Sequence, residues 1–348
     1  MQISRLPIES HETVLRVQDT EIGLAGFIAV HSTKLGPAAG GLRMRPYASE
    51  DAALTDALRL SEGMTYKNAA AGLPLGGGKA VIMGDSRKKT TAQLLAFANA
   101  ISTLEGSYWT AEDMGMTPQD MELLARETKF VAGLPSGPHA SGDPSPITAR
   151  GIFQSIKVTA QHRFGSPNLT GRTIAVQGLG HVGTYLCALL HEAGATLILA
   201  DIDPKRVADI AHKYHAEIAD PDSILSAKAD IFAPCAIGAV LNAQTIPDLQ
   251  VSAVCGGANN QLATTKDADR LHARGILYAP DFVANAGGII NVATEVLRID
   301  DRDTYVSDKL AAVETTLGRI FDRAKTMECS PARVAVSIVD EMLADRAA

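Results

Sequence analysis

A chain of 348 residues is too long for one compact core and suits two domains of ordinary size. Lys and Arg number 32 against 39 Asp and Glu, a net charge of −7 that disfavours a general binder of nucleic acid or of anionic membranes. Hydrophobic residues at 46% and charged residues at 20% describe a chain that folds. No apolar run approaches the ~18 residues a membrane helix needs, and residues 1–9 lack the apolar core of a secretion signal. Four scattered cysteines (Cys187, Cys235, Cys255, Cys329) suggest neither a disulfide framework nor a metal site. The expectation is a cytoplasmic protein with no metal and no membrane partner.

In chain order, residues 23–31 (GLAGFIAVH) read as a strand, and 36–43 as a glycine-rich turn carrying a cation, Arg43. Ala52, Ala53, Leu54, Ala57, Leu58 and Leu60 recur at helical spacing and predict a helix over 49–63. Residues 79–83 predict a strand, 91–105 a long helix, and 108–110 a strand ending near an acid, Asp113. The stretch 133–146 is rich in Gly, Pro and Ser and resists regular structure, so the inter-domain connection is expected there. A different rhythm follows: helices over 147–163, 181–193 and 204–214, and strands over 173–177, 196–200, 229–233 and 251–255. Strands alternating with helices imply right-handed crossovers and a doubly wound parallel sheet covered on both faces. Val334, Ala335, Ile338, Val339, Met342 and Leu343 line one side of a predicted helix over 331–346.

Gln177 is followed by Gly178-Leu179-Gly180-His181-Val182-Gly183, a G-x-G-x-x-G after a strand and before a helix. Gly178 permits the tight turn, Gly180 lets the backbone approach a pyrophosphate, and Gly183 allows close helix–sheet packing. The helix N-terminus offers N–H groups and positive dipole to the phosphates. Asp201 ends the next strand 18 residues after Gly183, near the ~20 expected of a ribose-binding acid. A carboxylate there accepts from the ribose hydroxyls of NAD and repels the extra phosphate of NADP, which favours NAD. Lys205 and Arg206 follow closely, and an arginine can receive that phosphate.

The segment 63–80 is the least ordinary. It is no Walker loop, since Leu73 and Ala80 stand where Gly and Ser or Thr are required. Lys67 and Lys79 lie twelve residues apart, the second after three glycines and before an apolar strand. A lysine in a largely desolvated pocket near another cation becomes a usable base near neutral pH. The plainer alternative is two surface lysines beside a flexible loop.

These residues resemble the glutamate/leucine/phenylalanine/valine dehydrogenases, in the branch acting on apolar amino acids. The likeness is carried by GPAAGGLRM at 36–44, YKNAAAGLPLGGGKAVI at 66–82, TAEDMG at 110–115, GLGHVG at 178–183, GGANNQL at 256–262 and LYAPDFVANAGGIINV at 277–292. The resemblance implies reversible oxidative deamination of an L-amino acid to a 2-oxo acid and ammonia with NAD. In that family Lys67 would pair with the substrate carboxylate and Lys79 would be the general base. Asp113 would hold the amino group, while Asn260 and the backbone at Gly41 complete the cradle. Asn285 would stand on the cofactor side with the glycine turn. It implies an α/β substrate-binding and oligomerisation domain over 1–135, joined by a C-terminal helix over 328–348. A Rossmann domain over 136–327 would complete the chain, with the active site in the cleft and a homo-oligomeric assembly.

Glutamate-specific relatives need a cation for the distal carboxylate. The matching positions here, Gly41, Ala111, Ile289 and Val292, offer only apolar groups or backbone. Ala111 and SGDPSP at 141–146 resemble the leucine branch, DIFAPCAIG at 230–238 and the 277–292 run equally the phenylalanine branch. A methylene or two in such a pocket shifts preference by only ~1–3 kcal/mol. Leucine and other branched-chain substrates come first, phenylalanine next, with a valine- or tryptophan-preferring member as the alternative. A dinucleotide sensor without chemistry would show damaged lysine motifs, and these are intact. A hydroxy-acid dehydrogenase would rely on a His–carboxylate base.

Overall fold

The structure, a computed structural model, describes residues 1–345; Arg346 and the last two residues of the expected 328–348 segment lie outside them. The chain forms two compact units. The first comprises Met1–Pro144, Ile289–Val306 and the described residues from Glu341 to Asp345; the second comprises Ser145–Gly288 and Ser307–Asp340.

The first unit opens with β1 (Gln2–Leu6), β2 (Thr13–Asp19), β3 (Leu24–Ser32) and β4 (Ala38–Arg45), then α1 (Glu50–Ala70) and β5 (Gly76–Met83). It continues with α2 (Thr91–Ser102), β6 (Tyr108–Glu112) and α3 (Pro118–Leu124). The six strands order as β1-β2-β3-β5-β4-β6. Pairing is antiparallel from β1 to β5 and parallel among β5, β4 and β6. Side chains alternate across the sheet: Ile28, Ala80 and Ile82 pack with Leu94, Phe97 and Ile101 of α2 on one face. Phe27, Ala29 and Val81 meet Ala53 and Ala57 of α1 on the other. Lys79 shares Val81's parity and therefore the α1 face.

Two glycine runs expected as turn or loop are strands. Gly36–Arg43 contributes most of β4, and Gly76, Gly77 and Gly78 open β5. The cause is close approach. A Cβ on Gly77 would fall 2.1 Å from the Thr65 nitrogen of α1, and one on Gly78 2.5 Å from the Tyr108 ring. Glycines here let a helix and an aromatic ring press onto the sheet. The same contact carries α1 seven residues beyond its expected end at Gly63.

The second unit carries α4 (Ser145–Phe164), β7 (Thr173–Gln177), α5 (His181–Glu192), β8 (Thr196–Ala200), α6 (Pro204–Tyr214) and β9 (Glu217–Ile218). β10 (Ile231–Pro234), β11 (Ala253–Val254), α7 (Thr265–Ala273), β12 (Leu277–Tyr278) and α8 (Asp281–Ala284) follow. All six strands are parallel, ordered β12-β11-β10-β7-β8-β9. Counted from β7 this is the 3-2-1-4-5-6 order of the doubly wound dinucleotide fold. Ala175, Ile198, Phe232, Val254 and Tyr278 build its core.

The chain ends in α9 (Gly287–Val296), α10 (Arg302–Thr326) and α11 (Pro331–Asp345). The first unit extends to Pro144, past the expected boundary at 135, because α9 binds the intervening loop. Glu295 accepts from the N–H groups of Gly133 (2.7 Å) and Ser141 (3.1 Å) and from the Ser141 hydroxyl (2.9 Å). Residues of α11 up to Asp340 cluster with the second unit, where the sequence had put 328–348 with the first. Its Ala332 packs against that unit's core. Among the described residues no helix is long and apolar enough to cross a membrane.

Candidate functional site

β5, β4 and β6 run parallel side by side, so their C-terminal ends gather at one edge of the first sheet. Lys79 on β5 is 6% exposed, and its ammonium forms an ion pair with Asp113 Oδ2, one residue past β6. Arg43 on β4 brings Nε to 3.4 Å from the same oxygen. The Met114 N–H donates to Asp113 Oδ1 at 2.6 Å. Burial alone would push the Asp113 carboxyl up. The charges of Lys79 and Arg43, with the hydrogen bonds from Lys79 and Met114, outweigh it and hold the group well below the usual carboxylate range.

Gly41 faces Ala111 in the sheet register. A Cβ on Gly41 would fall 2.7 Å from Asp113 Cβ and 3.3 Å from Lys79 Nζ, so its bare backbone leaves the ion pair accessible. The buried Tyr108 hydroxyl lies 3.2 and 3.3 Å from the carbonyls of Gly40 and Gly41 and fixes that stretch. Lys67 rides on α1, which Asn68 ties to the Gly76 carbonyl at 2.5 Å. Met64, one turn earlier on the same helix face, reaches within 3.2 Å of where a Gly40 Cβ would be. Ile289 and Val292 belong to α9, which Glu295 ties to Gly133; a Cβ on Gly133 would stand 4.0 Å from Ala111 Cβ.

In the second unit Gly178 has φ +96°, and a Cβ on it would strike Ala236 N at 2.7 Å. A Cβ on Gly183 would meet the Gly178 carbonyl at 2.0 Å. Gly180 caps α5 with no side-chain hydrogen bond and open space around it. A helix N-terminus so bared suits a pyrophosphate. Leu179 is buried, Val182 half-buried and His181 exposed. Asp201, after β8, accepts from the N–H groups of Leu179 (2.5 Å) and Asp203 (2.9 Å), with Arg206 Nη1 3.6 Å away. The buried Asn285 donates to Asn259 Oδ1 at 2.9 Å, while its own Oδ1 has no hydrogen-bond partner among the described residues. An orphaned acceptor of this kind calls for an amide N–H, which a nicotinamide carboxamide carries. Asn260 is exposed with φ +52°, and its carbonyl accepts from the Ala239 N–H at 2.7 Å.

The structure thus brings Lys79, Asp113, Gly41 and Ala111 together in one unit, and the glycine turn with Asp201 in the other. Sequence reasoning had noted Arg43 only as a cation in a turn and had passed over its partner Asp56. The cation at the end of the glycine-rich stretch 36–43 was the signal the sequence offered. Ile202, 92% exposed beside Asp201, was also not singled out.

An uncapped glycine turn on a 3-2-1-4-5-6 parallel sheet has the architecture of a dinucleotide-binding domain. Known proteins narrow the class. A family model described as Glu/Leu/Phe/Val dehydrogenase, dimerisation domain, matches residues 10–130, and one described as Glutamate/Leucine/Phenylalanine/Valine dehydrogenase matches 200–333. Leucine dehydrogenase of Geobacillus stearothermophilus is 51% identical over 287 residues, spanning 82% of this chain and 78% of the relative. Phenylalanine dehydrogenase of Caldalkalibacillus thermarum is 44% identical over 346 residues, 98% of this chain and 93% of its own. The crystal structure of L-tryptophan dehydrogenase from Nostoc punctiforme superposes with a TM-score of 0.85 at 40% identity, covering 97% of both chains. The chain belongs to the glutamate/leucine/phenylalanine/valine dehydrogenase family, as an amino acid dehydrogenase of its leucine/phenylalanine branch.

Proposed function

We propose that the protein catalyses the reversible, NAD-dependent oxidative deamination of an apolar L-amino acid, leucine and its branched-chain analogues first, phenylalanine second. The observation that carries this reading is the buried Lys79–Asp113 ion pair beside the side-chainless Gly41. Apolar Ala111, Ile289 and Val292 favour an uncharged substrate side chain, and the named leucine dehydrogenase relatives support that preference.

In this reading Lys67 pairs with the substrate carboxylate, beside the bare Gly41 backbone. Asp113 accepts hydrogen bonds from the amino group and fixes the orientation of Cα. Bound nicotinamide supplies the hydride acceptor. Loss of hydride from Cα of the substrate, its amino group neutral, leaves an iminium ion. Lys79, unprotonated, takes a proton from the water that attacks the iminium carbon and returns it to the nitrogen; as ammonia departs, the hydroxyl proton of the intermediate passes to Lys79 and the carbonyl of the 2-oxo acid forms. Asp201 holds the ribose hydroxyls, the 178–183 turn the pyrophosphate and Asn285 the carboxamide. NAD is favoured over NADP because a carboxylate at Asp201, after β8, would repel an extra phosphate on the ribose. The free thiols accord with a cytoplasmic enzyme, and the name of the matched dimerisation domain with a homo-oligomer.

The test is a panel of twenty L-amino acids with NAD and NADP in parallel, following reduced nicotinamide by absorbance. Strong signal with leucine, isoleucine, valine or phenylalanine, and little with glutamate, is expected. Reduction with glutamate alone, or with no amino acid, overturns the reading.

A further inference from the structure

The Lys79–Asp113 pair does not stand alone. Arg43 is 13% exposed on its side chain and bridges two carboxylates: Nε lies 3.4 Å from Asp113 Oδ2, and Nη1 lies 3.1 Å from Asp56 Oδ2 on α1. Asp56 is itself held by the Tyr47 hydroxyl at 2.8 Å and by Arg59 at 3.2 Å. A chain Tyr47–Asp56–Arg43–Asp113–Lys79 therefore runs from helix to reacting edge. Asp113 Oδ2 is shared by two cations, while Oδ1 is occupied by the Met114 N–H.

Those two cations differ in one respect. A base must give up its proton, so in the working state Lys79 no longer neutralises Asp113. Arg43 cannot be deprotonated in a protein. The geometry points to Arg43 as a positioning residue that keeps Asp113 ionised while Lys79 is neutral and, by sharing Asp113 Oδ2, loosens the aspartate's grip on the Lys79 proton. Asp56 and Tyr47 aim the guanidinium. This role rests on the proposed reading of Lys79 and Asp113. Among the described residues the buried Tyr108 hydroxyl on β6 also feels the Asp113 charge. Across β5, strand β3 sets uncharged Ala29 opposite Lys79.

With Arg43 gone, Asp113 belongs to Lys79 alone. The proton is held more tightly, and the acid limb of kcat/KM moves to higher pH. The experiment measures the pH profile of kcat/KM for leucine in wild type, Arg43→Met, Arg43→Gln, Arg43→Lys and Asp56→Asn. Both neutral variants are expected to displace the acid limb upward by about one pH unit. Arg43→Gln keeps polar contacts on both sides and stands in if the Met variant fails to fold. Arg43→Lys is expected to return most of the shift. Asp56→Asn keeps an oxygen that accepts from the guanidinium and leaves the charge beside Asp113, so thermal stability falls while the limb stays within about 0.3 unit. Acid limbs of the neutral variants coincident with wild type, or a lysine variant displaced as far as glutamine, overturn the role. A wild type that reduces no dinucleotide with any amino acid instead overturns the reading of function.

Discussion

Gly41 and Asp113 approach so closely that a methyl group on the glycine would come within 2.7 Å of the aspartate Cβ. Two strands, β4 and β6, are thereby locked at the point where the Lys79 ion pair meets solvent. The spacing leaves the Gly41 backbone bare beside the ion pair.

Gly41→Ala is therefore expected to fold and to bind the dinucleotide, since the second unit is untouched, yet to lose at least about a hundredfold in kcat/KM by displacing Asp113. Steady-state kinetics beside a cofactor-binding titration check this. Undiminished turnover would mean that the space over Gly41 is not where substrate sits.

Asp113 also links stability to pH. Its folded pKa is depressed, so its contribution is fully present above the unfolded value near ~3.9 and is lost as pH falls through the folded value. Asp113→Asn leaves the buried Lys79 ammonium without its carboxylate, at a cost of about 3 kcal/mol at pH 7. Urea unfolding at pH 7, 4 and 3 should show the gap between wild type and variant narrowing below pH 4. A constant gap would contradict the pairing.

Asp201 accepts from the turn it faces and has Arg206 3.6 Å away. Asp201→Ser is expected to weaken NAD binding by about ten- to a hundredfold and to release Arg206 toward a 2′-phosphate, raising the relative use of NADP. Fluorescence titration with both dinucleotides measures it. An unchanged preference removes Asp201 from the ribose site.

How legible this molecule was in its sequence differs between the units. Strands over 173–177 and 196–200 and the helix over 204–214 are read to the residue. Each is a short pattern bounded by Gly, Asp or Pro, so the signal is local. In the first unit, β1 and β2 went unread, and the glycine runs of β4 and β5 looked like turns. Their glycines answer to partners far away in sequence, Thr65 and Tyr108 among them. Lys79 was legible because glycine and an apolar strand surround it. Arg43 was not, because its meaning lies in Asp56 and Asp113, thirteen and seventy residues away and brought together only by folding.

The most direct test is to replace Lys79 by alanine and follow leucine-dependent formation of NADH. Turnover is expected to fall by about a hundred- to ten-thousandfold while NAD binding stays near wild type, with thermal stability lowered by the loss of the buried ion pair. An alanine variant that deaminates leucine at close to the native rate would contradict the assignment of that lysine as the base.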